Sequence, residues 1–410
     1  MKRYVIVGNG VAAIGCIEGI RTIDGSGEIT VVSGEKHPAY CRPLISYYLE
    51  KKTDIERMKY RRDGFYDDMG CKVIYGHQAV KLDTAAQTVL LDDGTALPYD
   101  ELCIAAGSSP FVPDAKGLES VPQVFTFMTE DDAAALEKAV RNGTRVLIVG
   151  AGLIGLKCAE GLAALGAEIT VCDLAERVLS SILDPECAAM VQKHLEHNSV
   201  RFMLGDTAVS YEGNIAHMKS GTDVGFDVLV IAVGVRANTR LVGEAGGSAD
   251  RGITVDTHMR TDLPHIWAAG DCTESLDVSD GKVRVMALMP NAYIQGHAAG
   301  VNMAGGDDSF DNCIPMNSIG FFGLHCMTAG SCDGEVYEEK TADSIKKLFV
   351  RDGRLAGFML IGDTGRAGIY TTLVRERTPL ESVDFEILKK FASCAAFSPE
   401  KRGKMFGSVV

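Results

Sequence analysis

The sequence predicts an α/β protein with two doubly wound parallel sheets, interleaved along the chain, and a small α+β unit after them. Three observations carry this expectation. One strand, glycine turn, helix, strand and acid unit occurs twice. The strand segments are continuous β-branched runs, the pattern of strands buried on both faces of a parallel sheet. From about Cys313 the pattern changes to short strands and tight turns.

The chain has 410 residues, too many for one ordinary domain and suited to two or three. Hydrophobic residues make up 46% and charged residues 23%, a globular balance that can fill real cores. The net charge of −14 argues against non-specific nucleic-acid binding, which needs a basic footprint. No apolar run approaches the about 20 residues of a membrane span. Met1-Lys2-Arg3 leads straight into a strand-like run, so a cytoplasmic location is expected. The 12 cysteines are scattered without a C-x-x-C pair; no metal site is expected, and most read as small buried hydrophobes.

The first copy of the repeated unit runs through Tyr4-Val5-Ile6-Val7, then Gly8-Asn9-Gly10, then a helical stretch from Val11 to Ile23 that includes Ala12 and Ala13. It continues into Ile29-Thr30-Val31-Val32 and Glu35. The second runs through Val146-Leu147-Ile148-Val149, Gly150-Ala151-Gly152 and a helical stretch from Leu153 through Ile154 and Gly155 to Leu165. It ends in Ile169-Thr170-Val171-Cys172 and Asp173. This is the βαβ mononucleotide-binding pattern. Glycines let the backbone approach a pyrophosphate, the helix N-terminus presents free N–H groups to it, and the acid accepts from a ribose. A carboxylate at Asp173 favours the free 2′-hydroxyl of NAD over the 2′-phosphate of NADP, while Arg177 nearby pulls the other way. Thr88–Leu91 followed by Asp92-Asp93-Gly94 reads as a hairpin between the copies. Lys347–Val350, a turn at Arg351-Asp352-Gly353-Arg354, Leu355–Ile361 and a helix over Phe385–Phe391 make up the C-terminal unit.

Three further segments complete a pattern: Leu102–Gly107 (with Ala106 and Gly107), Val228–Gly234, and Thr261–Asp271, a strand ending in an acid. In this order the motifs resemble the flavoprotein disulfide-reductase superfamily with two dinucleotide sites. The resemblance implies a discontinuous FAD domain (1–112 and 236–312), an NAD domain (113–235) and a C-terminal α+β domain (313–410). It implies FAD at Gly8, Gly10, Val11, Ala12, Glu35, Ala106, Gly107 and Asp271. NAD would lie at Gly150, Gly152, Leu153, Ile154, Gly155, Asp173 and Gly234. Met289-Pro290-Asn291-Ala292 reads as a helix start with proline in its first turn. The resemblance puts that helix end, through Asn291 and Ala292, at the flavin edge.

Tyr40-Cys41-Arg42-Pro43-Leu44-Ile45-Ser46 resembles the flavin-contacting segment of NADH:rubredoxin reductases and of the N-terminal part of NADH-dependent nitrite reductases, which implies Arg42 and Pro43 as FAD contacts. The redox C-x4-C of glutathione-reductase-like enzymes has no counterpart here, so electrons are expected to leave directly from flavin. Cys41 stands near the redox cysteine of NADH oxidases, NADH peroxidases and coenzyme A-disulfide reductases. Beside Arg42 it reads either as a nucleophile of lowered pKa or as a small residue packed against the ring. Lys157 stands where many relatives carry glutamate and reads either as a charge favouring anionic flavin or as a surface substitution.

The expected function is hydride transfer from NADH to FAD, then electron transfer to a protein acceptor such as rubredoxin or an iron–sulfur or metal subunit. The alternatives are a Cys41-dependent oxidase, peroxidase or disulfide reductase, and a non-catalytic flavin- and NAD-binding subunit. Residues 313–410 are nearly charge-balanced while the rest carries the acidity. An acidic acceptor is therefore expected beside the C-terminal unit, at Lys346, Lys347, Arg351, Arg354, Lys389, Lys390, Lys401 and Arg402.

Overall fold

A computed structural model describes residues 1–406. The first parallel sheet has the order Ile266–Ala268, Glu101–Ile104, Arg3–Val7, Glu28–Ser33, Cys71–Tyr75. Arg3–Val7 and Glu28–Ser33 pair in parallel through the helix Val11–Ile23, as the first repeat requires. The partner of Glu101–Ile104 comes from residues 266–268, so the sheet is completed by chain that returns after the second sheet is built. That second parallel sheet has the order Val200–Leu204, Glu168–Asp173, Arg145–Val149, Val228–Ile231, Val124–Phe125. Its crossover helix is Leu153–Ala163. The strand expected over 261–271 is reduced to Ile266–Ala268. Thr261 Oγ1 donates to the Ile266 carbonyl at 2.7 Å, and His265 adopts φ 62°, so the preceding residues form a turn.

The C-terminal part is a five-stranded antiparallel sheet, ordered Met316–Phe321, Leu324–Gly330, Arg354–Ile361, Ile345–Arg351, Glu335–Lys340. The hairpin Ile345–Arg351 and Arg354–Ile361 and the helix Phe385–Lys390 lie where the sequence puts them. The other three strands and the helix Ala367–Arg375 carry no clear signal. Glu335–Lys340 is a charged, exposed edge strand, a composition that blunts edge pairing and hides the strand from a hydrophobicity reading. One apolar cluster joins Ile45 and Leu49, the second sheet and its helices, and Phe321, Ile345 and Met359 of the C-terminal sheet.

The basic patch expected on the C-terminal unit is largely neutralised within the chain. Lys347 is buried and its Nζ lies 2.7 Å from Asp184, 2.8 Å from Glu186 and 3.3 Å from Glu338. It therefore ties the sheet to the start of the helix Pro185–His197. Lys346 pairs with Glu339 and donates to the Lys390 carbonyl. Arg351 pairs with Asp333 and Lys389 with Glu386. The side chain of Lys401 lies outside the described residues. Among the described residues Arg354, Arg375 and Arg377 have no ion-pair partner, and Arg354 bridges to Pro379 on the segment that carries the other two. The charge count of the sequence was sound, but strand pairing set Lys346 and Lys347 against Glu339 and Glu338 of the neighbouring strand.

Candidate functional site

Each glycine turn is shaped by close backbone approach. Gly8 has φ 109°, and a Cβ there would sit 2.0 Å from the Ala105 carbonyl oxygen. Gly150 has φ 118°, and its Cβ would sit 2.3 Å from the Ala232 oxygen. Neither position tolerates a side chain. The next glycines do the opposite work: Gly10 and Gly152 are the N-caps of their helices, and nothing lies within 4 Å of a Cβ built on either. Neither helix has a side-chain cap or an acid in its first turn. Their first N–H groups and positive dipole ends thus face open space, the arrangement that receives an anion.

Three expected FAD elements converge. A Cβ on Gly270 would lie 3.0 Å from the Cβ of Ala12 and 3.5 Å from that of Ala292, so Asp271 follows a residue wedged between two helix starts. The second of these, Met289–Met303, has proline in its first turn and no side-chain cap. It packs along Val11–Ile23 through glycines on both sides: a Cβ on Gly15 would meet the Tyr293 oxygen at 2.3 Å, and one on Gly296 the Ala12 oxygen at 1.9 Å. This glycine seam went unread in the sequence, because its period crosses two helices almost 300 residues apart. The Asp271 carboxyl makes no hydrogen bond to a described residue, and burial pushes its pKa up against the opposing charge of Arg42. A partnerless carboxylate beside two uncapped helix ends fits a bound flavin dinucleotide, whose ribityl hydroxyls and phosphates supply the missing donors and charge.

Glu35 and Arg42 meet. The Arg42 guanidinium pairs with Glu35, and its Nη1 reaches the Met128 carbonyl at 3.2 Å. Tyr40 Oη donates to Glu35 at 2.7 Å and accepts from the Glu130 N–H at 2.9 Å. Tyr40, Asn9 and Tyr66 were missed as site residues; Tyr66 Oη donates to Asn9 Oδ1 at 2.7 Å beside the first glycine turn. Pro43 lies in the short helical turn Arg42–Leu44. On the far side Asn238 Nδ2 donates to the Ala106 carbonyl at 2.8 Å and the Asn238 N–H to the Gly107 carbonyl at 2.9 Å. Gly234 has φ 113° and open space at its Cβ position.

At the second turn Asp173 Oδ2 accepts from the Ala151 N–H at 2.7 Å and Oδ1 from the Ala175 N–H at 2.8 Å. Each oxygen keeps a lone pair, so the carboxylate braces the glycine loop and remains able to accept from a ribose. Arg177 is turned to its own loop, with Nη2 3.2 Å from the Ser180 carbonyl oxygen. Leu153, Ile154 and Gly155 form the first turn of the helix, and a Cβ on Gly155 would meet the Gly150 oxygen at 2.0 Å.

Of the two readings of Cys41, its surroundings favour the small packed residue: burial pushes the thiol up against the pull of the Leu44 backbone N–H, Arg42 pairs with Glu35, and the Cys41 sulfur lies 3.7 Å from that of Met289. Lys157 is not a free charge. It pairs with Glu160, donates to the Gly320 carbonyl at 3.2 Å, lies 3.9 Å from Glu50 and sits 4.6 Å over the Tyr47 ring.

Residues 2–296 match the family described as pyridine nucleotide-disulphide oxidoreductase. The chain belongs to this family. It is an FAD-dependent NAD(P)H oxidoreductase that uses NAD(H). It is 32% identical over 393 residues to the NADH-dependent phenylglyoxylate dehydrogenase subunit epsilon of Aromatoleum evansii, covering 92% of each chain. It is 30% identical to the assimilatory nitrate reductase electron transfer subunit of Bacillus subtilis, covering 100% of this chain and 52% of that one. The chain thus spans about half the length of the Bacillus relative. The solved ferredoxin reductase for the CYP199A2 system of Rhodopseudomonas palustris superposes with a TM-score of 0.86 at 26% identity, covering 96% of this chain and 100% of that one. The resemblance read from the motifs and the α/β fold with two dinucleotide-binding sheets are therefore shown. No helix among the described residues is long and apolar enough to cross a membrane.

Proposed function

We propose that this protein takes hydride from NADH and delivers electrons through FAD to a protein acceptor, a rubredoxin-like or iron–sulfur carrier or the metal-bearing subunit of a larger complex. The observation that carries the reading is the setting of Cys41: its sulfur lies against Met289, Arg42 beside it is paired with Glu35, and burial pushes the thiol up, which disfavours an activated thiolate between flavin and acceptor. Relatives named as an electron transfer subunit and as a dehydrogenase subunit support delivery to a partner. The proposed division is FAD on 1–112 and 236–312, NAD on 113–235, and the C-terminal sheet domain on 313–410, in a protein of the cytoplasm.

FAD bound here supplies two-electron acceptance and one-electron release. The residues position it. The Gly10 helix end would meet its phosphates, Glu35 its adenosine ribose, the Arg42–Pro43 segment its flavin part and Asp271 its ribityl chain, and the dipole at the start of the Met289–Met303 helix would favour negative charge on the flavin. Gly150, Gly152 and Asp173 would hold NADH, and positioning would supply most of the catalysis. The acceptor docks near Arg354, Arg375 and Arg377. Arg375 acts electrostatically on Cys313, whose sulfur accepts from Asn291 Nδ2 at 3.0 Å, so this surface borders the flavin-side helix start. The test is reduction of an acidic one-electron carrier such as rubredoxin by NADH. The triple variant Arg354→Glu, Arg375→Glu, Arg377→Glu slows carrier reduction and leaves reduction by NADH intact. Equal carrier rates at low salt would refute the docking site.

A further inference from the structure

Tyr40 joins the loop after the first sheet's second strand to the helix Glu130–Ala139, whose Ala133 and Leu136 lie in the core of the second sheet. That helix opens with Thr129 and Asp132 capping each other's backbone, and the Glu130 N–H, at the first helical position, has no acceptor within the helix. Tyr40 Oη accepts from it at 2.9 Å, and from Arg42 Nη1 at 3.3 Å. Both acceptor sites of the phenol oxygen are then taken, so its proton has one direction left, toward Glu35 Oε2 at 2.7 Å. Burial pushes the phenol pKa up, so the group stays a donor. The ring is buried, and the Arg42 guanidinium lies over it at 5.4 Å. Arg42 also takes the other carboxylate oxygen, Oε1. Each oxygen of Glu35 thus receives one donor and keeps a further acceptor site, on a side chain that is 26% exposed.

We propose that Tyr40 is a positioning residue for flavin binding: with Arg42 it holds Glu35 as a carboxylate whose two free acceptor sites match the two neighbouring hydroxyls of the adenosine ribose. The inference rests on the reading of Glu35 as the acceptor of that ribose, and adds what makes it one. A carboxylate free to rotate must be ordered when the ligand arrives, at a cost in affinity. Here the ordering is built into the protein, braced on the start of a helix from the following domain. Tyr40→Phe keeps the ring and its contact with Arg42 but removes the donor to Oε2. Glu35 can then turn both oxygens onto the two-nitrogen fork of the guanidinium, away from the ribose.

The test is fluorescence titration of the full-length chain, freed of flavin, with FAD and with the FAD analogue that lacks the adenosine 2′-hydroxyl. The wild type binds the analogue more weakly than FAD by about tenfold or more, the worth of one charge-assisted hydrogen bond. Tyr40→Phe weakens FAD by about tenfold and brings the two ligands within about threefold of each other. Both ligands are compared on one protein, so a general loss of stability, which weakens them alike, does not narrow the ratio. Glu35→Ala separates the two claims. If the wild-type ratio persists in Glu35→Ala, Glu35 is not the ribose acceptor and the inference falls with that reading. If Glu35→Ala abolishes the ratio and Tyr40→Phe keeps it in full, Glu35 meets the ribose without help from Tyr40, and only the positioning role is overturned. Equal binding of the two ligands by the wild type would overturn both.

Discussion

The proposed function gives Asp173 two duties that a pair of variants separates. Its carboxylate accepts from the N–H groups of Ala151 and Ala175 at 2.7 and 2.8 Å, and in that proposal its remaining lone pairs accept from the NADH ribose. Asp173→Asn keeps one acceptor oxygen but turns an amide N–H₂ toward the other backbone donor. One charge-assisted bond is lost in a half-buried setting, so stability falls by about 1.5 kcal/mol, the lower end of the range for such bonds. Asp173→Ala loses both bonds and costs about 3 kcal/mol by the same reckoning. The cofactor effect is separate. Removing the negative charge lifts the repulsion of a 2′-phosphate, and losing the ribose contact weakens NADH. Together these lower the NADH/NADPH ratio of kcat/KM by about tenfold or more, about 1.4 kcal/mol in discrimination. Initial rates with both nucleotides give the ratio, and thermal melts give the stability. A lowered melting temperature with an unchanged ratio in Asp173→Asn would show that Asp173 is only a strut of the loop.

Gly8→Ala forces a Cβ to 2.0 Å from the Ala105 oxygen at φ 109°, so the purified protein carries little or no FAD, read from its visible spectrum after desalting. Gly155→Ala crowds the Gly150 oxygen at 2.0 Å; KM for NADH rises while FAD content is retained. Lys347→Met leaves Asp184, Glu186 and Glu338 facing each other. Because these acids are 27%, 36% and 40% exposed, the loss is about 2 kcal/mol, below that of a fully buried pair, and is measured by denaturant titration. The same cluster sets an acid limit. Hydrogen bonds from Lys340 and Lys347 hold Glu186 down at about 2, and Lys347 holds Asp184 below the usual carboxylate range despite its burial. A depressed carboxylate stabilises the fold above its unfolded pKa, and that contribution is lost as pH falls toward about 2. Melting temperature should therefore drop more steeply below about pH 4.5 in the wild type than in Lys347→Met; parallel curves would exclude this linkage.

The parts of the fold written in local patterns were legible. Both βαβ units, their glycine turns and the helix start at Met289 lie where the residues put them, because each combines β-branched strands, a steric need for glycine and a helix in one short stretch. The convergence of Gly270 and Asp271 with two helix ends was reached through resemblance, since no local rule brings residues 12, 270 and 292 together. What failed was electrostatic. Lys347 reads as a surface lysine in a basic run, yet the pleat turns it inward onto three acids, one of them across the strand at Glu338. Cys41 beside Arg42 left two readings open in the sequence, an activated thiol or a packed small residue, and it is the pairing of the guanidinium with Glu35 that weighs toward the second. The partners of Lys347 lie on a neighbouring strand or more than 150 residues away, and Glu35 reaches Arg42 only through the fold of the loop between them, so composition carries no trace of either pairing.

The account rests on electrons leaving flavin without a cysteine relay. Anaerobic titration of the FAD-loaded protein with NADH tests this directly, followed in the visible spectrum for the wild type and Cys41→Ser. Full flavin bleaching at one NADH per FAD in both proteins, with no cysteine-dependent long-wavelength band, is the predicted result. Uptake of a second equivalent before bleaching, lost in Cys41→Ser, would contradict it.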